Sequence, residues 1–275
     1  IIYSYISPRT MGDFAEQLLI SAAIKENLDD YKLSVFYIND KSFKKIIISL
    51  YNNIDYLMMG EKGAKFPINM FDAYSGRPLM APRMEEFGLH MSRLVLSGNS
   101  LTSMSFPGFD YVPRLRVPEH QKGEHENLLR SFGLDPGRWF ACIYWREPGY
   151  KDRTANSQRD FTDPTPYIDT VRFITEELGG QVVRLGHQTD KRVPDHPSII
   201  DLSKLEDSLL TQIVAISRSR FFISSCSGPI TFGPGFGVPT AATNNIDISG
   251  VWNDHDIILT KRIFGPNGNI YQQKS

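Results

Sequence analysis

Arg220-Phe221-Phe222-Ile223-Ser224-Ser225-Cys226-Ser227-Gly228-Pro229, continuing through Phe236-Gly237-Val238-Pro239-Thr240-Ala241-Ala242-Thr243-Asn244, spells a buried strand, a turn of small residues, a short helix and a second strand. Phe221, Phe222 and Ile223 form the apolar run of a strand covered on both faces. The small residues that follow leave the backbone open to a ligand. Pro229 suits the first position of a helix, where its missing N–H costs nothing. The positive end of that helix, with Gly228 and the hydroxyls of Ser224, Ser225 and Ser227 beside it, predicts a phosphate cradle. The bland reading of the same residues is a strand-to-helix turn with capping serines.

Working back from this stretch, strands and helices alternate. Residues 207–217 read as a helix, 198–202 and 181–186 as strands, and 166–178 as a helix ended by Gly179-Gly180. Trp139 to Trp145 is the most strand-like run in the chain, and 124–132 before it reads as a helix stopped by Gly133. Such alternation predicts a doubly wound α/β domain. The first half begins in the same way: a strand over 1–7, a helix over 14–24 and a strand over 31–38 make a βαβ unit. A helix over 41–53 and a strand over 54–59 follow. From Gly60 to Pro118 the pattern weakens, with helical character over Leu89–Leu96. Val117-Pro118 to Gly123 reads as a linker. The expected architecture is α/β, with two Rossmann-like domains over 1–118 and 119–275 facing across a cleft.

The 275 residues suffice for two domains, each with its own core. Net charge is −1, which gives no general attraction to nucleic acid. No apolar run reaches the length of a membrane span, although peripheral membrane contact stays compatible. The two cysteines, Cys142 and Cys226, both sit in apolar settings and suit a reducing cytoplasm. The N-terminus has no basic region or cleavage site and reads as a first strand.

The candidate chemistry lies at the ends of predicted strands. Asp13, after Gly12 at the start of the first helix, is favoured in its ionised form and suits a general base; it equally suits a helix N-cap. Arg146 and Arg184 follow or interrupt apolar strands, and a buried guanidinium needs an anion: a diphosphate, or carboxylates such as Glu147 or Asp160. Arg159 lies in a basic loop with Lys151 and Arg153. Asp254-His255-Asp256 has the Asp-x-Asp spelling of a metal site, but it reads as a turn late in the chain, so no metal and no cofactor are expected. Gly233-Pro234-Gly235-Phe236-Gly237 carries a proline that argues against a dinucleotide fingerprint, and Pro234 is expected to cut the helix short.

The ordered set Arg146-Glu147-Pro148-Gly149-Tyr150, Arg159-Asp160, Val182-Val183-Arg184-Leu185-Gly186, Ser217 to Pro229 and Phe236-Gly237-Val238-Pro239 resembles the donor-binding half of GT-B glycosyltransferases. It is most similar to the heptosyltransferase-like group and to bacterial surface-polysaccharide glycosyltransferases. Gly12-Asp13 matches the Gly-Asp of the acceptor half, whose Asp is the catalytic base in heptosyltransferases. The resemblance implies an inverting, metal-independent transferase that takes a nucleotide-diphospho-sugar donor and a glycan or small-molecule acceptor. Asp13 would be the base, and Arg146, Arg159, Arg184, Ser224, Ser225, Ser227 and Gly228 would bind the donor. One departure is the heptosyltransferase Asp-Thr-Gly-Pro turn, which here reads Ser225-Cys226-Ser227-Gly228-Pro229 without an acid. A non-catalytic nucleotide-binding protein and a nucleotide-sugar epimerase are the alternatives.

Overall fold

Among the described residues, the strands fall into a four-stranded sheet, a six-stranded sheet and a separate two-stranded ribbon, and both larger sheets are parallel throughout. The computed structural model describes residues 2–6, 10–26, 31–60, 94–97, 115–147, 165–187, 197–245, 253–264 and 267–271. The chain divides into two units, the first running to Arg116 and the second beginning at Val117.

In the first unit β1 (Ile2–Ile6), α1 (Met11–Glu26), β2 (Leu33–Ile38), α2 (Ser42–Ile48), β3 (Tyr56–Gly60) and β4 (Leu94–Ser97) form a sheet of order β3-β2-β1-β4. Helix α1 buries Phe14, Leu18, Leu19, Ile20, Ala22 and Ala23, and a helix apolar on nearly every side belongs inside a core. Lys44 is only 1% exposed. Its ammonium pairs with Asp40 at 2.8 Å, donates to Ile38 O at 3.0 Å and lies 5.3 Å from the Phe14 ring centre, so the buried charge is answered on three sides.

Two expectations for this unit change. The helix expected over 41–53 stops at Ile48, with Leu50 and Tyr51 turned inward and the Tyr51 hydroxyl donating to Ala15 O at 2.9 Å. Of the helical character read over Leu89–Leu96, the part before Leu94 lies outside the described residues, and from Leu94 the chain forms β4, which pairs with β1 from Ile2↔Leu94 to Tyr5↔Ser97. A short apolar run has no period of its own to choose with, and pairing with an open strand decides the matter.

The second unit contains α3 (Glu119–Ser131), β5 (Phe140–Tyr144), α4 (Thr165–Arg172, extended by a π turn over Phe173–Glu177), β6 (Gln181–Arg184) and β7 (Ile199–Asp201). It continues with α5 (Leu209–Arg218), β8 (Phe222–Ser225), a 3-10 turn (Gly228–Thr231), α6 (Phe232–Phe236), β9 (Thr240–Asn245) and β10 (Ile257–Thr260). A ribbon of β11 (Ile263–Phe264) and β12 (Ile270–Tyr271) closes the described chain. The large sheet has the order β10-β9-β8-β5-β6-β7. Ala141, Ile143 and Trp145 of β5 and its exit pack under Tyr167, Val171 and Ile174 of α4. Cys142 points to the other face by strand alternation, and α3 packs on α5. Fully buried side chains such as Phe222 and Phe232 each contribute roughly 1.5–3 kcal/mol.

The segment expected as a linker, Val117 to Gly123, is for most of its length the first turns of α3. Pro118 sits at its N-cap, and Glu119 and Lys122 pair at 2.6 Å. The glycine-rich run over 233–237 serves packing. A Cβ on Gly233 would overlap the Thr240 hydroxyl and stand 3.1 Å from Phe222, while Gly237 caps α6 at φ +69°. Pro234 lies within the first turn of the five-residue α6.

Gly233→Ala is expected to destabilise the second unit by about 1–3 kcal/mol, read as a lowered denaturant midpoint. In the first unit, the hydrogen bond from Lys44 holds Asp40 below the usual carboxylate range. A depressed carboxylate contributes stability above its unfolded pKa and loses it as pH falls through the folded value. Asp40→Asn is therefore expected to lose about 1 kcal/mol at pH 7, with the gap to wild type closing in acid; melting curves at the two pH values check this.

Candidate functional site

Strands β6 and β7 lie to one side of β5, and β8, β9 and β10 lie to the other. Connections leaving neighbouring strands in opposite directions open a crevice at the carboxyl ends, where open α/β sheets bind ligands. The residues at this switch point are Tyr144 to Glu147 from β5 and Ser225 to Gly228 from β8.

The two exits are tied together. The Arg146 backbone N–H donates to Ser225 Oγ at 2.8 Å, and Ser227 Oγ donates to the Tyr144 hydroxyl at 3.3 Å. Arg146, Ser227 and Gly228 are half-buried, which leaves them within reach of a ligand. Ser224 and Ser225 are 0% exposed, and Ser224 Oγ donates to Ser225 O at 3.0 Å. In this structure both hydroxyls face inward and brace the turn. The helix after the turn also differs from the one expected. It opens as a 3-10 turn and continues as the short α6, which carries little of a long helix's dipole.

Arg184 is buried as well. It is 1% exposed, and both terminal nitrogens of its guanidinium are taken up by protein groups, while Nε has no hydrogen-bond partner among the described residues. Nη2 donates to Glu147 Oε1 at 3.2 Å, and Nη1 donates to Asp201 Oδ2 at 3.2 Å and Ser203 Oγ at 3.0 Å. Its face lies 4.4 Å from the Trp145 ring centre, and the Trp145 indole N–H donates to Glu147 Oε1 at 2.9 Å. Of the two anions the sequence left open, the carboxylates hold this arginine. By fixing Glu147, Arg184 fixes the chain one residue beyond Arg146. Arg159 lies outside the described residues.

Asp13 occupies the third position of α1 and is exposed. Thr10, just before the helix, donates its hydroxyl to Asp13 Oδ2, while Phe14 N–H donates to Thr10 O at 3.2 Å. The N-cap role considered for Asp13 falls to Thr10, and the carboxylate sits in the first turn, where the helix end favours negative charge. Helix α1 follows β1, which has β2 on one side and β4 on the other, so Asp13 also stands after a switch point.

Three residues at the second-unit site were not anticipated. Tyr144 carries a hydroxyl at the end of an otherwise apolar strand, which was the available signal. Tyr167 and Thr243 meet at 2.6 Å between hydroxyl oxygens, although they are 76 positions apart, and local pattern gives no sign of this. Burial pushes the Tyr167 phenol up, against hydrogen bonds with Thr243 and Ser225 that pull it down. Among the described residues, no group of three or more His, Cys, Asp or Glu side chains is placed to hold a metal ion. Asp256 accepts from Thr240 N at 2.8 Å and Asn253 N at 2.7 Å and thereby pins the start of β9.

This is a GT-B-type fold built of two parallel-sheet α/β units. A glycosyl transferase family 9 protein from Veillonella parvula is similar at 15% identity over 94% of this chain and 85% of its own, with a TM-score of 0.59. The ADP-heptose LPS heptosyltransferase II of E. coli is similar at 14% identity over 98% of this chain and 92% of its own, with a TM-score of 0.60. An E. coli heptosyltransferase solved with ADP is similar at 8% identity over 94% and 92%, with a TM-score of 0.50. No protein-family model and no curated protein matches the chain.

Arg184→Met is expected to cost about 3–5 kcal/mol, because it leaves Glu147 and Asp201 without their shared cation. Arg184→Lys should recover only part of this, since an ammonium cannot fork to both carboxylates and stack on Trp145. Chemical denaturation of the three proteins measures both effects.

Proposed function

We propose that this chain is an inverting, metal-independent glycosyltransferase. It moves a sugar from a nucleotide-diphospho-sugar to an acceptor hydroxyl in the making of a bacterial glycan or glycoconjugate. The observation that carries the reading is the switch point between β5 and β8, with half-buried Arg146, Ser227 and Gly228 at its rim, on a fold shared with heptosyltransferases. One of those neighbours was solved with ADP and another is described by an ADP-heptose donor, which supports a nucleoside diphosphate as the ligand class. Domains over 1–118 and 119–275 are part of the reading, the first serving the acceptor and the second the donor.

In this mechanism Arg146 and the Ser227-Gly228 turn hold the diphosphate and stabilise charge on it as it leaves. Arg159, next to Asp160, belongs to the same proposed site. Asp13 takes the proton from the acceptor hydroxyl. The acceptor oxygen bonds to the anomeric carbon as the bond from that carbon to the phosphate oxygen breaks, and the nucleoside diphosphate departs with the electron pair. Positioning supplies much of the rate enhancement. The donor sugar is left open, because the turn lacks the acid of the heptosyltransferase motif. A cytoplasmic location is part of the proposal and is supported by two unpaired cysteines. No helix among the described residues is long and apolar enough to cross a membrane.

A panel of ADP, GDP, UDP and CDP tests the donor site: at least one is expected to raise the melting temperature at millimolar concentration, by mass action. With the matching nucleotide-sugar and acceptor, Asp13→Asn is expected to lower transfer by about 10²–10⁴-fold and leave nucleotide affinity within about twofold. An unshifted melting curve for all four nucleotides refutes the donor site. Full activity in Asp13→Asn refutes the base.

A further inference from the structure

The hydroxyls behind the β8 turn have a fixed proton order. Thr243 Oγ1 donates to Ser224 O at 3.3 Å, which uses its only proton. The 2.6 Å contact between Thr243 and Tyr167 must then be a donation from the phenol. Ser225, the residue after the Ser224 carbonyl, accepts the Arg146 backbone N–H on its hydroxyl at 2.8 Å. Contacts thus run from Tyr167 through Thr243 to the Ser224 carbonyl, and at the next residue from Ser225 to the Arg146 backbone. Bonds aligned in one direction polarise and strengthen each other, more so where water is excluded. Trp145 stacks on Tyr167 with ring centres 5.4 Å apart and holds the phenol in place from the β5 side.

We propose that Thr243 and Tyr167 are positioning residues for the donor diphosphate, acting through the Ser224-Ser225 end of β8 on the Arg146 backbone and on the turn from Cys226 to Gly228. The inference rests on the donor-site reading above and assigns to that site a support that neither residue's own surroundings would disclose. Neither side chain touches the ligand. Their contribution is to hold the exits of β5, β8 and β9 in one register, so that Arg146 and the turn meet the diphosphate without first being ordered. Loss of a link would appear in nucleotide affinity, because the ordering would then occur on binding.

The test uses two substitutions at Thr243 with opposite chemistry. Thr243→Val keeps the shape and removes the hydroxyl; Thr243→Ser keeps the hydroxyl and removes a methyl. Affinity is measured by calorimetry, well below each variant's melting temperature, for whichever of ADP, GDP, UDP and CDP wild type binds most tightly. Thr243→Val is expected to weaken binding roughly tenfold, the equivalent of one net hydrogen bond, and Thr243→Ser to stay within about twofold of wild type. A purely packing role predicts the reverse order. If Thr243→Val does not fold, Tyr167→Phe breaks the same chain one link away and is expected to give the same loss. Wild-type affinity in the hydroxyl-free variant, or equal weakening in both Thr243 variants, overturns this inference alone. A wild-type chain that binds none of the four nucleotides overturns both this inference and the donor site it rests on.

Discussion

Two parallel strands cannot be joined by a tight turn, so each connection in these sheets must travel back the length of a strand before the next one begins. Right-handed crossovers then decide which face each helix covers, and the direction of travel along the sheet decides where it changes face. In both units the strand that comes first in sequence ends with neighbours on either side: β1 lies between β2 and β4, and β5 between β6 and β8. The chain leaving such a strand emerges at the one place where the crossovers part. Asp13 follows β1 and Arg146 follows β5. A single constraint on chain connection accounts for the position of both candidate residues.

The second half of the fold was the more legible because its elements are long or carry their own punctuation. Gly133 and Gly179 sit at positive φ just past α3 and the α4 segment, and glycine there is readable from sequence as a helix stop. Strand β5 is a run of apolar residues buried on both faces, which no turn signal interrupts. The losses came where local pattern is neutral. Leu94 to Ser97 becomes a strand only because β1 offers an open edge, and β10 becomes one by pairing with β9, a partner sixteen positions away at Ile257↔Ala241. Pro118 and Gly123 look like linker residues, yet proline at a helix start removes a donor that had no partner, and one glycine in an ion-paired, exposed helix is tolerable.

The site divides along the same line. That Arg184 required an anion was legible, because a guanidinium inside an apolar strand must be answered. Which anion answered it was not, since Glu147 and Asp201 are 37 and 17 positions away and their approach depends on the sheet order. The serines divide in the same way. Ser224, Ser225 and Ser227 look alike in a small-residue turn, but two of them belong to β8 and point into protein, while Ser227 lies past the strand end. Composition identified a polar turn, and the last residue of the strand decided which hydroxyls served the fold and which faced outward.

The same strand ending separates the two thiols. Cys142, in the middle of β5, is fully buried, and desolvation pushes its thiol far above the range in which thiolate forms. Cys226 stands half-buried in the turn itself, between Ser225 and Ser227. A maleimide dye applied to the folded protein would thus find one address out of two, and that address is inside the segment whose occupancy is in question. The unmodified sequence carries its own attachment point for an optical probe of the turn, placed there by nothing more than where β8 stops.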